Sequence, residues 1–491
     1  MFLIIDQGTT STKVMLFNLE GKKIDSSQKP FKQIFPNNGW VEHNPEEIIE
    51  TVISCCNEVI DNNSDQNICS IGITNQRETV VLWDKTTGKS LYNAIVWQDR
   101  RTDTFCNELK DKGHEKFINQ KTGLLLDPYF SSTKIRWIID NVKGVKEGID
   151  DNRVCVGTID TWIIWHLTKG KVFATDLTNA ARTNLFNIKD LKWDDDLLDL
   201  FGVNKSILPD VQESDGFYGK SEVLVKKIPI HGVIGDQQSA AIGQKCFNVG
   251  DIKSTYGTGC FVIQNTGKEI AYSKNKLLST IAYKVKGETA YALEGSIFMA
   301  GAIIDWLNNN LQVFDNYSEL DDILINAEIN PEVVMVPAFT GLGAPHWKPD
   351  SRASISGLTR DTNKNDIIVA SIQSVSLQTY DLIKAIHEDT HDLFKKSLQD
   401  IKVDGGMTEN QWFLQNLSDI CGTKIIKSSE QEATALGAAT LSALGSNEIN
   451  ELSEFNINSN ENIEFLPIIK KQLRSKIIKN WGKAINKTIN D

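Results

Sequence analysis

At 491 residues the chain exceeds what one hydrophobic core ordinarily organises, so two domains are expected. Its composition, 40% apolar and 24% charged, is that of a soluble globular protein, and a formal net charge of −12 argues against a general nucleic-acid binder. No uninterrupted apolar run approaches the roughly 18 residues that suggest a membrane span, and the opening Met1–Ile5 is too short, and lacks the basic flank, to predict a secretory leader.

Taken in order, Leu3–Ile5 and Val14–Phe17 are β-prone runs around the polar turn Asp6-Gln7-Gly8-Thr9-Thr10-Ser11-Thr12-Lys13, which predicts a hairpin. The periodic segment Pro45–Val59 predicts a helix, with Asn44 as N-cap and proline at the first helical position. Ile71–Thr74 reads as a strand running into Asn75-Gln76-Arg77-Glu78. Adjacent strand residues face opposite ways, so Arg77 and Glu78 meet one ligand only if the chain bends at Gln76; otherwise they form a surface ion pair. Two aromatics follow, Trp97 after Ile95-Val96 and Tyr129 in Asp127-Pro-Tyr-Phe130; each is a candidate ligand wall or a core residue.

The run His231–Gly235 reads as a buried strand that ends on Asp236-Gln237-Gln238. A second hairpin pattern comes next: Asp251–Tyr256, the turn Gly257-Thr258-Gly259, then Cys260–Ile263. It lies about 245 residues after the first, which predicts two structurally related halves. Asp366–Ile386 and Ala433–Leu444 are helical patterns, and Ile401–Val403 leads through Asp404 into the double glycine Gly405-Gly406, with Asn410 four residues on. An Asn/Glu-rich stretch, 447–462, reads as surface. Ile469, Leu473, Ile477, Trp481 and Ile485 then form one apolar stripe, which predicts a docked C-terminal helix. Strands mixed with helices in both halves indicate an α/β protein.

The P-loop pattern and the protein-kinase H-R-D and D-F-G signatures are absent. Strand-connecting turns offer another way to hold a polyphosphate, because successive backbone N–H groups make anion-binding concavities. Gly8, Gly257 and Gly259 permit close approach, and Thr9, Thr10, Ser11 and Thr258 add hydroxyl donors. Asp6 is placed to hold a hydrated Mg²⁺, an ion that keeps its waters and takes few carboxylates. The eight cysteines show no C-x-x-C and mostly sit in apolar runs, which predicts buried free thiols and a reducing compartment. The seven histidines form no ligand-spaced cluster, so no zinc site is expected.

Together these segments resemble the FGGY carbohydrate kinases from Leu3 to about Leu444, through TNQRET at 74–79, NAIVWQ at 93–98, DPYFS at 127–131, GDQQ at 235–238, TYGTGCF at 255–261, PAFTGLGAP at 337–345 and DGG at 404–406. The resemblance implies two actin-like (ribonuclease H-like) ATPase domains around a central cleft, over residues 1–245 and 246–491. The first would bind the polyol and supply the base, and the second would bind the nucleotide. It implies Mg²⁺-dependent transfer of a phosphoryl group from ATP to a terminal hydroxyl of glycerol, in the cytoplasm, by a homodimer or homotetramer, with no nucleic-acid or membrane partner. Position by position, Arg77, Glu78, Trp97, Tyr129, Asp236, Gln237 and Phe261 fall on the polyol side, with Asp236 as general base. Thr9, Thr10, Ser11, Lys13, Thr258, Gly301, Asp305, Gly406 and Asn410 fall on the nucleotide side. Asp305 stands where the family usually has glutamine, and Gln411-Trp412 departs from the family pattern beside Asn410. A family member acting on another small polyol or a ketose, an actin-like binding ATPase and a catalytically dead sensor are the alternative readings. In some members the stretch matching Tyr218–Pro229 holds fructose bisphosphate or a phosphorylated histidine. Here it has no arginine, no double glycine and no histidine, which predicts insensitivity to both controls.

Overall fold

The computed structural model describes residues 1–394, 399–428, 432–455 and 462–490. Two sheets organise it. The first contains Phe2–Gln7 (β1), Ser11–Phe17 (β2), Lys23–Pro30 (β3), Ser70–Asn75 (β4), Phe217–Lys220 (β5) and Pro229–Gly235 (β6), in the order β5-β6-β4-β1-β2-β3. The second contains Ile252–Tyr256 (β7), Cys260–Gly267 (β8), Leu278–Val285 (β9), Glu288–Ile297 (β10), Ile401–Asp404 (β11), Ile425–Lys427 (β12) and Ile463–Phe465 (β13), in the order β9-β10-β8-β7-β11-β12-β13. In each, an opening hairpin continues antiparallel into a third strand, while its first strand takes two parallel neighbours on the other side: β6-β4-β1-β2-β3 repeats as β12-β11-β7-β8-β10. The two halves predicted from the paired Gly/Thr turns are thus related in topology.

β1 is apolar on both faces because both are covered. Leu3 and Ile5 pack with Ile71, Ile73 and the helix Pro45–Asn62. Phe2 and Ile4 face the other way and meet Ala435, Leu436, Ala438 and Ala439 of the helix Ala433–Gly445. Asn44 caps the first of these helices, its Oδ1 accepting from the Glu46 N–H at 3.1 Å. The second crosses the helix Asp236–Gly243 so closely that a Cβ on Gly437 would sit 1.9 Å from the Ser239 carbonyl oxygen. Only glycine fits there.

The helix predicted at 366–386 extends over Lys364–Phe394. The apolar stripe of the tail forms the helix Lys471–Asn490, whose Ile477, Trp481 and Ile485 pack on Val336, Leu377 and Ile420; the Trp481 indole donates to Asp381 Oδ2 at 2.8 Å. All eight cysteines are free, Cys69 half-buried and the rest buried. Of the Asn/Glu-rich stretch, residues 456–461 lie outside the described residues. Among the described residues no helix is long and apolar enough to cross a membrane. A further five-stranded sheet, in the order Gln33–Ile34, Glu42–His43, Ala94–Ile95, Val80–Asp84 and Val154–Thr158, stands beside the first and delivers Trp97 to the cleft.

Candidate active site

The double glycine after β11 lies against the end of β7, where Gly405 meets the Tyr256 backbone, and the turn after β1 reaches the Trp97 indole, which packs on Phe261 of β8. In the first, Gly8 N–H closes on the Ser11 carbonyl at 3.0 Å. The Thr9 hydroxyl accepts from the Trp97 indole at 3.0 Å, and the Ser11 hydroxyl accepts from Gln28 at 2.9 Å; Thr10 is exposed. Lys13 is paired with Glu432, which also takes Lys23 at 3.1 Å. In the second turn the Thr258 carbonyl accepts from Ala300 and Ala302, and Gly301 N–H donates to the Gly257 carbonyl at 2.9 Å. A Cβ on Gly301 would approach that carbonyl to 2.7 Å, so glycine lets the helix Gly301–Asp305 start directly on the turn.

Asp305 ends that helix and is exposed. Gly405 has φ +95° with its α-carbon against Tyr256, whereas Gly406 has open space where a side chain would stand. Asn410 caps the helix Gln411–Cys421 through Oδ1, and its amide nitrogen donates to Asp321 at 2.6 Å.

On the acceptor side the chain bends where the sequence requires it. β4 ends at Asn75, Gln76 N–H donates to the Gln7 carbonyl at 2.8 Å, and Glu78 takes φ +61°. The bend carries both Arg77 and Glu78 inward, where both are buried. They do not pair with each other, so the bend replaces the surface ion pair expected had the strand run straight. Arg77 instead grips Glu294 of β10 with both terminal nitrogens, at 2.6 and 3.1 Å, and touches Gln238 Oε1 at 3.1 Å. Its Nε lies 3.1 Å from Asp236 Oδ1. Glu78 accepts from Arg182 Nε at 2.5 Å, and Arg182 Nη2 donates to Glu294 at 2.9 Å. The rings of Trp97 and Tyr129 stand 5.7 Å apart and those of Trp97 and Phe261 6.1 Å, forming one wall. Lys134, wholly buried, holds the Tyr129 and Phe130 carbonyls at 2.6 and 3.0 Å; burial lowers its ammonium to a pKa of about 8. Gln237 accepts from Lys253 Nζ at 2.6 Å.

Asp236 starts its helix, its carboxylate accepting from the Gln237 N–H at 2.7 Å, and its side chain keeps 32% of its surface accessible. Burial raises its pKa, partly offset by Arg77, the Gln237 N–H and Lys253. Burial also raises the Glu78 carboxyl, against the pull of Arg182 and Arg77. Asp6 is pushed up to about 7 by burial and by Asp236 and Glu432, Lys13 only partly compensating. A reactive carboxylate with a raised pKa, open to a cleft and flanked by a guanidinium, is suited to accept a proton.

The structure therefore brings Arg77, Glu78, Trp97, Tyr129, Asp236, Gln237 and Phe261 to one wall of the cleft. Arg182, Glu294, Lys253 and Gln238 join them although the sequence reading did not select them. Their signal was present: Glu294 is a lone charge in the apolar run Ala290–Ile297, and Arg182 follows Ala180-Ala181.

The model of the FGGY family of carbohydrate kinases, N-terminal domain, matches residues 1–243, and that of the C-terminal domain matches residues 252–446. A glycerol kinase of Sinorhizobium fredii is 47% identical over 491 residues, covering 99% of this chain and 98% of its own. The crystal structure of Plasmodium falciparum glycerol kinase with ADP superposes with a TM-score of 0.93 at 40% identity, covering 100% of this chain and 98% of that one. A ligand-bound xylulose kinase from Lactobacillus acidophilus reaches a TM-score of 0.85 at 22% identity, covering 99% and 97%, and shares the fold.

Proposed function

The chain belongs to the FGGY family of carbohydrate kinases, and we propose that it transfers the γ-phosphoryl group of ATP to a terminal hydroxyl of glycerol, giving sn-glycerol 3-phosphate and ADP. The observation that carries this reading is the acceptor wall. Asp236 lies 3.1 Å from Arg77 Nε, beside the buried Glu78, with Trp97, Tyr129 and Phe261 as an apolar lining. A small polyol offers hydroxyls to polar groups and CH₂ edges to rings, and this wall supplies both. Relatives named glycerol kinase at 47% identity support glycerol as the acceptor.

Phosphoryl transfer needs in-line positioning, neutralised phosphate charge and a place for the hydroxyl proton. Arg77 and Gln237 bind acceptor hydroxyl oxygens, Glu78 accepts their protons in hydrogen bonds, and the rings exclude water. Asp236 takes the proton of the attacking hydroxyl. The Gly8–Ser11 and Gly257–Gly259 turns receive the phosphates through backbone N–H groups and the hydroxyls of Thr9, Thr10, Ser11 and Thr258. The gap beside Gly406 receives the adenine, with Gly301 and Asn410 near it. Asn410 already caps a helix and binds Asp321, so its contact with a nucleotide is shared with structural duties. Lys13 reaches the phosphates by exchanging Glu432. Asp305 adds a carboxylate beside the nucleotide.

Among the described residues no three side chains group as a metal site, so a cation here would be held chiefly by the nucleotide, with Asp6, whose carboxyl is raised by burial and by Asp236 and Glu432, beside it. Mg²⁺, arriving with ATP and held by Asp6 through water, would neutralise phosphate charge. Eight free thiols support a reducing, cytoplasmic location, and a homodimer or homotetramer is the assembly, measurable by light scattering. The function is tested by ADP production with ATP and glycerol, dihydroxyacetone, erythritol, xylulose or ribulose. Glycerol is expected to give the highest kcat/KM; a ketose preferred over it would overturn the reading.

A further inference from the structure

Apart from Phe261, the acceptor wall belongs to the first half of the chain, but what fixes its arginine comes from the second. Glu294 sits mid-strand in β10, wholly buried, and receives three charge-assisted hydrogen bonds: two from Arg77 at 2.6 and 3.1 Å and one from Arg182 at 2.9 Å. Two guanidiniums this close repel one another, and each weakens the other's ionised form unless a carboxylate stands between them. We propose that Glu294 is a positioning residue for phosphoryl transfer, which the second half supplies to orient Arg77 and Arg182 in the first. This rests on the acceptor reading given above.

The geometry states what Glu294 prevents. A guanidinium prefers to meet a carboxylate with two parallel N–H groups. Glu294 and Gln238 occupy both terminal nitrogens of Arg77, so only Nε reaches Asp236. Glu294 likewise takes Nη2 of Arg182, whose Nη1 is buried without a hydrogen-bond partner among the described residues, and Nε meets Glu78. With Glu294 removed, Arg77 is free to turn its fork onto Asp236 and Arg182 to turn its fork onto Glu78. The base would then be neutralised by a bidentate partner, and Glu78 would lose the oxygen it offers a hydroxyl. Because Glu294 comes from the second half and both arginines from the first, the acceptor site is built by direct contact between the two halves.

The test is Glu294→Gln, nearly isosteric and uncharged, with Glu294→Asp beside it, both as full-length enzyme. The expected result is a loss of at least tenfold in kcat/KM for glycerol, shared between kcat and KM, while calorimetric ATP affinity stays within about twofold. Glu294→Asp, which keeps the charge, is expected to recover most of the loss. Wild-type glycerol kinetics in Glu294→Gln would overturn the proposal. So would parallel loss of glycerol turnover and ATP binding that Glu294→Asp fails to restore, since that is the mark of a purely structural residue. The wild-type chain is measured alongside: absence of glycerol-dependent turnover there overturns the substrate reading, whereas a changed variant beside an active wild type bears on Glu294 alone.

Discussion

Asp236 is the proposed general base, and its surroundings make two measurements decisive. Asp236→Asn keeps the shape and the hydrogen bond from the Gln237 N–H but cannot take a proton. It is expected to lower kcat by on the order of 10²–10⁴ with ATP affinity intact, the usual worth of a positioned general base; near wild-type turnover would remove Asp236 from the mechanism. The groups facing Asp236 are Arg77, the Gln237 N–H, Lys253, Glu294 and Asp6. Burial raises its pKa above the ordinary carboxylate range, and Lys253 is one of the charges that pull it back. A base must be ionised, so activity falls as pH drops through that pKa. Lys253→Met removes a positive charge, leaves the pKa higher still, and is expected to move the acid limb of kcat/KM for glycerol to higher pH. An unmoved limb would mean that Lys253 serves only its hydrogen-bond partners Gln237 and Thr255, at 2.6 and 2.8 Å. At this scale the sequence exposed the residues that sit in recognisable turns: Asp236 after a strand, Arg77 and Glu78 at a bend. It could not pair them, because Arg77 and Glu294 are 217 positions apart and adjacency in the chain suggested the wrong partner.

Among the elements, the hairpins, the Asn44-capped helix and the striped tail were legible because caps, turns and periodicity are local. The crossing of the helices Ala433–Gly445 and Asp236–Gly243 was not, since only the fold brings Gly437 against Ser239. That crossing gives a prediction whose sign is informative. Alanine for glycine inside a helix ordinarily stabilises by about 1 kcal/mol. In Gly437→Ala the new Cβ would meet the Ser239 carbonyl at 1.9 Å, backbone that no rotamer can move. The clash is expected to win, with a net loss of about 1–3 kcal/mol in denaturant unfolding; a stabilised variant would refute so close a crossing. The segment from Tyr218 to Pro229 gives another. Lys226 Nζ donates to the Ser64 carbonyl at 2.8 Å, and Lys227 pairs with Glu222 at 3.0 Å. Two lysines already engaged, without arginine's planar fork, make a poor bisphosphate site. Initial rates at saturating glycerol are expected to be unchanged by millimolar fructose bisphosphate, and saturable inhibition lost in Lys226→Ala would show a site there.

Across the whole molecule, the repeated topology puts all of the proposed acceptor wall but Phe261 on one half and Glu294 on the other, and the two proposed phosphate turns likewise come one from each. On the proposed reading each ligand would therefore touch both halves, directly or through one intermediate. The first phosphate turn also meets the acceptor wall within the first half, where the Thr9 hydroxyl accepts from the indole of Trp97 at 3.0 Å. On the proposed reading, glycerol against the wall would favour the observed arrangement in which Arg77 and Arg182 reach Glu294, and a nucleotide spanning the turns after β1 and β7 would favour the same contact of the halves. Two ligands that stabilise one state of a two-state element must help each other, and by equal factors. The expected coupling is about 1–3 kcal/mol, so that ADP with Mg²⁺ should lower the glycerol Kd roughly 5- to 150-fold, and glycerol should lower the ADP Kd by the same factor. Titration calorimetry in both orders measures it, and ADP is used so that no turnover intervenes. Independent binding in both orders would mean that the halves do not move as a unit. Coupling present in the wild type but lost in Glu294→Gln would trace it to the carboxylate that joins them.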